Sequence, residues 1–377
     1  MRFLHISDLH LGKRVYEYSM LEEQKNALWQ VLSIVDEKNI EGLFIAGDIY
    51  DKSIPTIEAI ELFDSFLVEL SNRNIDVYII SGNHDSPERV GFGADFFKSK
   101  RIYISKAYDG NIQYVDKEDL YGKIRIHLIP FLKPANVRRF HQEMEIADYN
   151  SAIRTVVEDI KLCEDGRNVV LVHQFITGAV RSQSEESFLG GMDNIEYDLF
   201  DEFDYVALGH IHKSQAMGRQ QVRYSGALVK YALDEINQVK SMTLVEIKGK
   251  GEVEIETIPI KPIHDMRRIE GTYMELTDRN NYVNTKVDDY LHVVLKDEED
   301  VPDALRKLRV IYPNILKLEY DNTRTRLKNS VIEGKGVRRK EPMEYIEELS
   351  RKQNNEDMTS EQATVLKNIM EDSDETN

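Results

Sequence analysis

The sequence predicts an α/β fold built in layers, with one large domain followed by a smaller one. Buried-strand patterns alternate with amphipathic helix patterns over most of the chain, and this alternation changes near residue 266. A length of 377 residues also exceeds what one hydrophobic core usually supports. We therefore predict a large domain at 1–265, a small α+β domain at 266–323, a basic linker at 324–340 and a helical tail at 341–377.

The large domain begins with strands and helices in alternation. Six segments are rich in β-branched, aromatic and aliphatic residues, which fit a buried pleated sheet: 2–7, 42–46, 76–81, 123–130, 168–173 and 204–209. Three segments between them carry apolar residues at helical spacing: 21–38, 56–73 and 150–163. Later strands follow one another without long helices, so this part should be antiparallel or mixed: 222–226, 241–248 and 252–260.

The C-terminal part has a different pattern. "YLHVVLKDEED", "VPDALRKLRVIY" and "NILKLEYD" predict strand, helix and strand, which is enough for a small βαβ-type unit. The stretch 324–340 contains seven Lys or Arg residues and two glycines against one Glu, which is typical of a linker. The tail has two short amphipathic patterns, one at Met343, Ile346 and Leu349 and one at Val365, Leu366, Ile369 and Met370.

Composition limits the classes of function. With 41 % apolar and 31 % charged residues, the chain is expected to be soluble and cytoplasmic, with no membrane span. No signal peptide is expected, because "MRFLHISDLH" is strand-like from its first residues. The single Cys163 excludes an intramolecular disulfide and fits a reducing compartment. The chain has no G-x-x-x-x-G-K-[ST] motif, so no ATP site of this kind is expected.

Metal-binding side chains follow five of the predicted strands. Because the loops after the carboxyl ends of strands form the ligand crevice of an α/β sheet, these side chains are expected to converge. Seven of them are candidate metal ligands: Asp8, His10, Asp48, Asn83, His173, His210 and His212. A single Asp or His after a strand is usually a helix cap or a core residue. Five strand ends of this kind together favour a metal site.

Seven ligands are too many for one metal ion. If Asp48 bridges two ions, eight contacts divide as four and four and leave positions for water and substrate. Carboxylates, an amide and imidazoles without a thiolate favour Mn²⁺ or another octahedral divalent ion over structural zinc. The formal charge of −18 disfavours nucleic-acid binding. Two such ions would make the pocket itself cationic and so reduce part of this electrostatic repulsion.

These residues resemble a known family. Asp8-x-His10, Gly47-Asp48, the stretch "GNHD" at 82–85, His173 and the stretch "GHIH" at 209–212 are similar to the motifs of the calcineurin-like binuclear metallophosphoesterases. "HISDLHLGK", "SGNHDSPER" and "FDYVALGHIHKSQ" resemble the subgroup of nuclease subunits of bacterial SbcCD complexes. The resemblance is strong over the first 260 residues, and the βαβ unit resembles the family's capping domain. The segment 226–232 departs from it, because a proline is expected after Gly226.

The resemblance implies a fold, a metal site and an activity. It implies a layered metallophosphoesterase β-sandwich with flanking helices, a capping domain, and Mn²⁺-dependent 3′→5′ exonuclease and single-strand endonuclease activity on double-strand DNA ends and hairpins. One ion would be held by Asp8, His10, Asp48 and His212, and the other by Asp48, Asn83, His173 and His210. His84 would act on the scissile phosphate without binding metal. An SbcC-like SMC-type ATPase partner and a homodimer of nuclease subunits, acting in DNA repair, recombination and replication near the nucleoid, are also implied.

Several further residues are assigned supporting roles. Asp51 is expected to orient a ligand without binding metal, and Asp85 is a second supporting residue. Alternatively, His84 only forms a turn hydrogen bond and Asp85 orients its ring. Arg89 is either a phosphate contact or the partner of a surface salt bridge. Candidate DNA-backbone contacts also lie in "FLKPANVRRFH", although a solvated face explains them equally well: Lys133, Arg138 and Arg139.

Other functions share parts of this pattern. A protein phosphatase on the same metal core is disfavoured, because the chain has Asp51-Lys52-Ser53 where those enzymes have Asp-Arg-Gly. A small phosphodiesterase seldom carries an additional domain, and a non-catalytic scaffold typically loses ligands that are all present here. The tail is expected to bind the ATPase as a helix in a groove, or alternatively to pack on the chain's own capping domain.

Overall fold

The structure is a computed structural model that describes residues 1–185, 194–326, 359 and 362. Its described residues up to Tyr320 belong to one compact unit. The tail predicted at 341–377 and most of the predicted linker lie outside the described residues, apart from 324–326 and the two single positions. No helix among the described residues is long and apolar enough to cross a membrane.

The predicted strands and helices occur in the expected order, with further strands and helices between them. The strands are β1 Arg2–Ile6, β2 Arg14–Val15, β3 Tyr18–Ser19, β4 Gly42–Ala46, β5 Asp76–Ile80, β6 Ile102–Ile104, β7 Gln113–Asp119, β8 Gly122–Ile129, β9 Arg167–His173, β10 Phe175–Ile176, β11 Asn194–Ile195, β12 Tyr205–Gly209, β13 Gln215–Met217, β14 Arg219–Tyr224, β15 Ser241–Ile247, β16 Val253–Pro259, β17 Met266–Gly271, β18 Tyr290–Leu295 and β19 Ile315–Tyr320. The α-helices are α1 Leu21–Glu37, α2 Ile57–Asn72, α3 Pro87–Val90, α4 Ala94–Phe97, α5 Pro134–Arg138, α6 Tyr149–Glu158, α7 Tyr273–Thr277, α8 Arg279–Tyr282 and α9 Ala304–Leu308.

Two six-stranded sheets form the large domain. The first has the order β16-β15-β1-β4-β5-β6, in which β1, β4, β5 and β6 are parallel and the late strands β15 and β16 are antiparallel. The second has the order β13-β14-β12-β9-β8-β7, with a parallel centre and an antiparallel strand at each edge. The late part of the domain is therefore mixed, as the sequence indicated.

The two sheets pack face to face. One hydrophobic cluster takes side chains from both sheets, among them Phe3, Phe44, Tyr78, Val169 and Tyr205. A second cluster lies between the first sheet and helices α1 and α2, and a third lies between the second sheet and α6. These layers confirm the predicted sandwich with flanking helices, in which both sheets point the carboxyl ends of their parallel strands at one edge.

A three-stranded parallel sheet forms the smaller part of the compact unit. Its order is β17-β18-β19, and it has a hydrophobic cluster of its own with helices α7 and α9. The predicted strand, helix and strand correspond to β18, α9 and β19. Sequence reasoning missed β17, in which exposed and half-buried residues alternate after a single buried Met266. The domain boundaries stay predictions.

Candidate metal centre

The candidate ligands of five strand ends meet at one edge of the sandwich. Asp8 and His10 follow β1, Asp48 follows β4, and Asn83 follows β5. The other three come from the second sheet, at the end of β9 and after β12: His173, His210 and His212. All except the half-buried Asn83 are at least 96 % buried, so the polar atoms that meet here are largely shielded from bulk water.

Three of these side chains form what we call the first ligand group: Asp8, His10 and His212. One ligand atom of each lies within 4.8 Å of the others. The Nε2 atoms of His10 and His212 are only 3.0 Å apart. Two ring nitrogens at such a short distance, together with a carboxylate oxygen, can bind the same cation.

The second ligand group consists of Asp48, Asn83, His173 and His210. His173 Nε2 lies 3.3 Å from Asp48 Oδ2 and 3.1 Å from Asn83 Oδ1. His210 Nδ1 lies 2.8 Å from the same Asn83 oxygen. Asp48 Oδ2 is also 3.6 Å from Nε2 of His10, so this carboxylate lies next to both ligand groups.

The second ligand group is held mainly by the backbone. The His173 Nδ1–H donates to the carbonyl oxygen of Ala46 at 2.8 Å, so Nε2 is the ring nitrogen that faces the site. Asp48 Oδ1 accepts the backbone N–H of His84 at 2.9 Å. A Cβ atom at Gly209 would lie 1.8 Å from that Ala46 oxygen and 2.7 Å from His173 Nδ1. Any side chain at 209 would therefore displace the carbonyl group that orients His173.

In the first ligand group Asp8 Oδ1 accepts the backbone N–H of His210 at 2.8 Å, whereas the two histidines are held mainly by side chains. Gln24 Nε2 donates to the carbonyl oxygen of His10 at 2.7 Å. The same nitrogen donates to the hydroxyl oxygen of Tyr231 at 3.0 Å, and that hydroxyl donates to the carbonyl oxygen of Leu9 at 2.5 Å. Sequence reasoning missed Gln24 and Tyr231, because neither follows one of the strands that supply ligands.

Four ligand residues have backbone conformations that L-residues rarely adopt. The φ angles are positive at Asp8 (52°), His10 (43°), Asp48 (49°) and His210 (105°). Left-handed conformations of this kind cost free energy for residues that carry a Cβ atom. At each of these positions the turn aims the side chain into the site directly after its strand ends.

Burial and charge set the protonation states. Burial lowers the pKa of His10 and His210 well below the usual value, so both rings are neutral and carry a lone pair at pH 7. Burial acts on His173 in the same direction, but the Asp48 carboxylate outweighs it and raises the pKa of His173 to about 9. Burial alone would raise the pKa of Asp48, and His173 holds it well below its usual range. This buried carboxylate therefore attracts a positive charge, which a proton or a metal cation can supply.

The donor set fits divalent metal ions. Two carboxylates, one carboxamide and four imidazoles converge without a thiolate, a combination that suits octahedral divalent cations. The Nε2 atom of His10 faces His212. The other ring nitrogen of His10, Nδ1, is buried and has no hydrogen-bond partner among the described residues. The residues present could therefore hold ions in two adjoining places, with Asp48 next to both.

His84 lies beside the first ligand group. Its Nδ1–H donates to the backbone carbonyl oxygen of Asp51 at 3.0 Å, and its ring packs edge-to-face against His10 with centroids 4.8 Å apart. One ring nitrogen of His84 is also within 4.8 Å of ligand atoms of His10 and Asp48. The geometry thus permits His84 either to act on a bound phosphate or to bind metal.

Two carboxylates predicted to support the site make different contacts. Asp51 Oδ1 forms an ion pair with Lys13 at 2.7 Å and lies 3.9 Å from His10 Nδ1, which is too far for a hydrogen bond. Among the hydrogen bonds of the described residues, none joins Asp85 to the ring of His84. Its carboxylate accepts three backbone N–H groups instead, and these tie the loop after β4 to the turn after β5: Ile49, Tyr50 and Gly82, at 2.9–3.0 Å.

The basic residues proposed for DNA contact are surface or loop residues with partners of their own. Arg89 Nη1 donates to the carbonyl oxygen of Ser53 at 2.5 Å. Arg138 donates to the carbonyl oxygen of Ile146 at 3.2 Å. The guanidinium group of Arg139 lies 5.5 Å from the ring centroid of Phe140. Lys133 directly precedes helix α5.

The chain matches two family models and a curated relative. Residues 1–214 match the calcineurin-like phosphoesterases, and residues 262–354 match the type 5 capsule protein repressor C-terminal domain. The chain is 31 % identical over 322 residues to the D subunit of nuclease SbcCD from Staphylococcus epidermidis, an alignment that covers 84 % of this chain and 85 % of the relative.

Solved structures show a weaker similarity. A dimetal phosphatase of Danio rerio aligns with a TM-score of 0.37 and 13 % identity, covering 69 % of this chain and 99 % of that one. GAP50, the anchor in the inner membrane complex of Plasmodium, aligns with a TM-score of 0.39 and 13 % identity, covering 84 % and 96 %. The sequence matches, together with the two-sheet sandwich and its converging ligands, assign the chain to the calcineurin-like metallophosphoesterases, in the family of the SbcCD nuclease subunits.

Proposed function

We propose that this chain is the nuclease subunit of an SbcCD-type complex. It hydrolyses phosphodiester bonds at double-strand DNA ends and hairpins, as a 3′→5′ exonuclease and single-strand endonuclease in DNA repair and recombination. The observation that carries the proposal is the convergence of the two ligand groups, with His84 beside them. The name of the relative from S. epidermidis, a nuclease subunit, supports nuclease activity.

The two ligand groups are proposed to hold two divalent ions, most favourably Mn²⁺. The first ligand group with Asp48 would hold one ion, and the second ligand group would hold the other. Such a pair of ions polarises a phosphate and stabilises the charge that develops on the attacking and leaving oxygens. The residues themselves orient the lone pairs: His173 through the Ala46 carbonyl group and Asp48 through the His84 N–H group.

His84 is proposed to be the catalytic residue. Because its Nδ1–H is held by the Asp51 carbonyl oxygen, its Nε2 atom is the one available to a substrate. A proton on Nε2 can be donated to the leaving oxygen, and the imidazolium also stabilises negative charge on the phosphate. The side chain is half-buried, so a bound substrate can reach it.

DNA must approach a protein with a formal charge of −18. The proposed ions would make the site locally positive, and basic side chains would contact the DNA backbone nearby. The candidates are Arg89, Lys133, Arg138 and Arg139. Arg89 is the best supported of them, because its bond to Ser53 keeps it close to the loop that carries Asp51 and to the turn that carries His84.

Partner chains complete the proposal. An SbcC-like SMC-type ATPase would supply the ATP hydrolysis, and the segment 341–377 would bind it. A homodimer of nuclease subunits is supported by apolar side chains exposed around α2 and α4: Ile54, Ile57, Phe92 and Phe96 are 71–83 % exposed. The protein would act in the cytoplasm, in association with the nucleoid.

The test is a nuclease assay on end-labelled duplex DNA with Mn²⁺ or Mg²⁺, with and without the ATPase. We expect Mn²⁺-dependent release of nucleotides from the 3′ end, and no release by the Asp48→Asn variant prepared in parallel. A chain ending at Lys340 should still cleave a small phosphodiester but no longer co-purify with the ATPase. Wild-type protein that binds metal yet leaves every DNA substrate intact would contradict the proposal.

A further inference from the structure

A buried ion pair lies directly behind His212. Glu235 and Lys240 follow strand β14, and their side chains are 0 % and 7 % exposed. Lys240 Nζ lies 2.8 Å from Glu235 Oε2 and also donates to the carbonyl oxygen of His212 at 3.0 Å. Because the desolvation of two charges can exceed their mutual attraction, a buried ion pair is weak support for a role in stability alone.

Glu235 reaches the His212 ring through a hydroxyl group. Ser184 Oγ lies 2.6 Å from His212 Nδ1 and forms a short hydrogen bond with Glu235 Oε1, which itself is 3.6 Å from Nδ1. A carboxylate can only accept hydrogen bonds, so the Ser184 hydroxyl donates to Glu235 and accepts the His212 Nδ1–H. This order places the proton of the neutral ring on Nδ1. The lone pair is then on Nε2, the atom that faces His10.

Further donors fix the carboxylate itself. The Ser182 hydroxyl donates to Glu235 Oε1 at 2.7 Å, and the backbone N–H of Tyr231 donates to Oε2 at 3.0 Å. Glu235 thus accepts hydrogen bonds from both sides and cannot rotate away without breaking several of them. The same segment contains Tyr231, which holds the loop of His10, so 231–240 contacts both histidines of the first ligand group.

We propose that Glu235 is a positioning residue for His212, and that through Ser184 it sets the tautomer and orientation of that ring for the first of two metal ions. The inference rests on the two-ion site proposed above. In this inference Glu235 and Ser184 orient the ring of His212, as the Ala46 carbonyl group orients the ring of His173. Groups that orient a metal-binding histidine in this way typically contribute about 10- to 100-fold to metal affinity.

The test is a calorimetric titration of the metal-free, full-length chain with Mn²⁺. Wild-type protein should show two dissociation constants. Glu235→Gln should weaken one of them by about 10- to 100-fold and leave the other unchanged. Ser184→Ala, at a half-buried position, should weaken the same site. Glu23→Gln is the matched control, because that buried carboxylate holds His264 and the backbone near 263 and contacts no candidate ligand among the described residues; both constants should be unchanged.

Each result decides a different point. Unchanged constants in Glu235→Gln and Ser184→Ala, or equal weakening of both sites, would overturn the inference, since a purely structural role does not select one site. Fewer than two Mn²⁺ ions on wild-type protein would overturn the proposed two-ion site and this inference with it. If Glu235→Gln does not fold, Ser184→Ala decides by the same criterion, because it removes the hydroxyl group between Glu235 and His212 and leaves the buried ion pair intact.

Discussion

The two ligand groups are supported by different parts of the chain. His173 in the second group is oriented by a backbone carbonyl at the end of β4, whereas His212 in the first group is oriented by Ser184 and Glu235. A backbone carbonyl is present whatever the side chain, so its support is lost only when the backbone moves. Side-chain support can be removed by a single substitution. The first ligand group should therefore be the part of the site whose metal affinity changes more readily by mutation.

The largest expected effect on metal binding belongs to Asp48→Asn, because this carboxylate lies next to both ligand groups. Loss of its charge should weaken both Mn²⁺ sites by more than about 100-fold, since even residues that only orient a ligand contribute about 10- to 100-fold. Calorimetry and metal content after dialysis measure the effect. Full occupancy of one site would show that Asp48 does not bridge.

Gly209→Ala should affect only the backbone-held group. Its Cβ atom would lie 1.8 Å from the Ala46 carbonyl oxygen, so that carbonyl and His173 must shift. We expect binding of one ion to weaken by about 10- to 100-fold and the free energy of unfolding to fall by about 1–3 kcal/mol. In the control Gly249→Ala, the added Cβ meets only the end of the Glu252 side chain. Intact binding of both ions in Gly209→Ala would contradict the backbone support described here.

His84→Ala should leave both ligand groups intact and still remove most hydrolysis. Loss of a general acid typically lowers the rate by about 10²- to 10⁴-fold. Mn²⁺ stoichiometry and single-turnover cleavage are measured on the same preparation, with His292→Ala as the control, because His292 is bonded to Glu319 in the three-stranded sheet. Loss of an ion together with activity would identify His84 as a ligand.

The smallest effect on the site is expected from Asp119→Asn, at the opposite edge of the sandwich. Burial alone would raise the pKa of Asp119, but hydrogen bonds from Arg167 lower it to about 2 from an ordinary value of 3.8. A depressed pKa stabilises the fold above about pH 4, and this stabilisation is lost as the pH falls from about 4 to 2.

Asp119→Asn should therefore lower the free energy of unfolding at pH 7 by about 1–2 kcal/mol and flatten its pH dependence below about pH 4. Denaturant unfolding at several pH values measures this, and Mn²⁺ affinity should equal that of wild type. A change in metal affinity would show that the two edges of the sandwich are coupled.

Sequence reasoning identified the converging candidate ligands better than the residues that hold them. Asp8, Asp48 and His173 could be recognised because each follows a buried strand, and the strand pattern is a local signal. Ser184 and Glu235 are 51 positions apart and act on His212 only after the chain has folded. No spacing or composition rule marks such a contact. Asp85 was expected to support the site, but sequence proximity could not show that its carboxylate binds three backbone N–H groups.

The positive φ angles at Asp8, His10, Asp48 and His210 have a consequence for evolution and engineering. Glycine at such positions would relieve about 1–2 kcal/mol of strain per residue, so selection for thermal stability alone would favour that replacement. Each replacement would also delete a candidate metal-binding side chain. The chain thus maintains a trade-off between stability and function at these turns, and stabilising substitutions should be sought at the opposite edge of the sandwich, away from the candidate ligands.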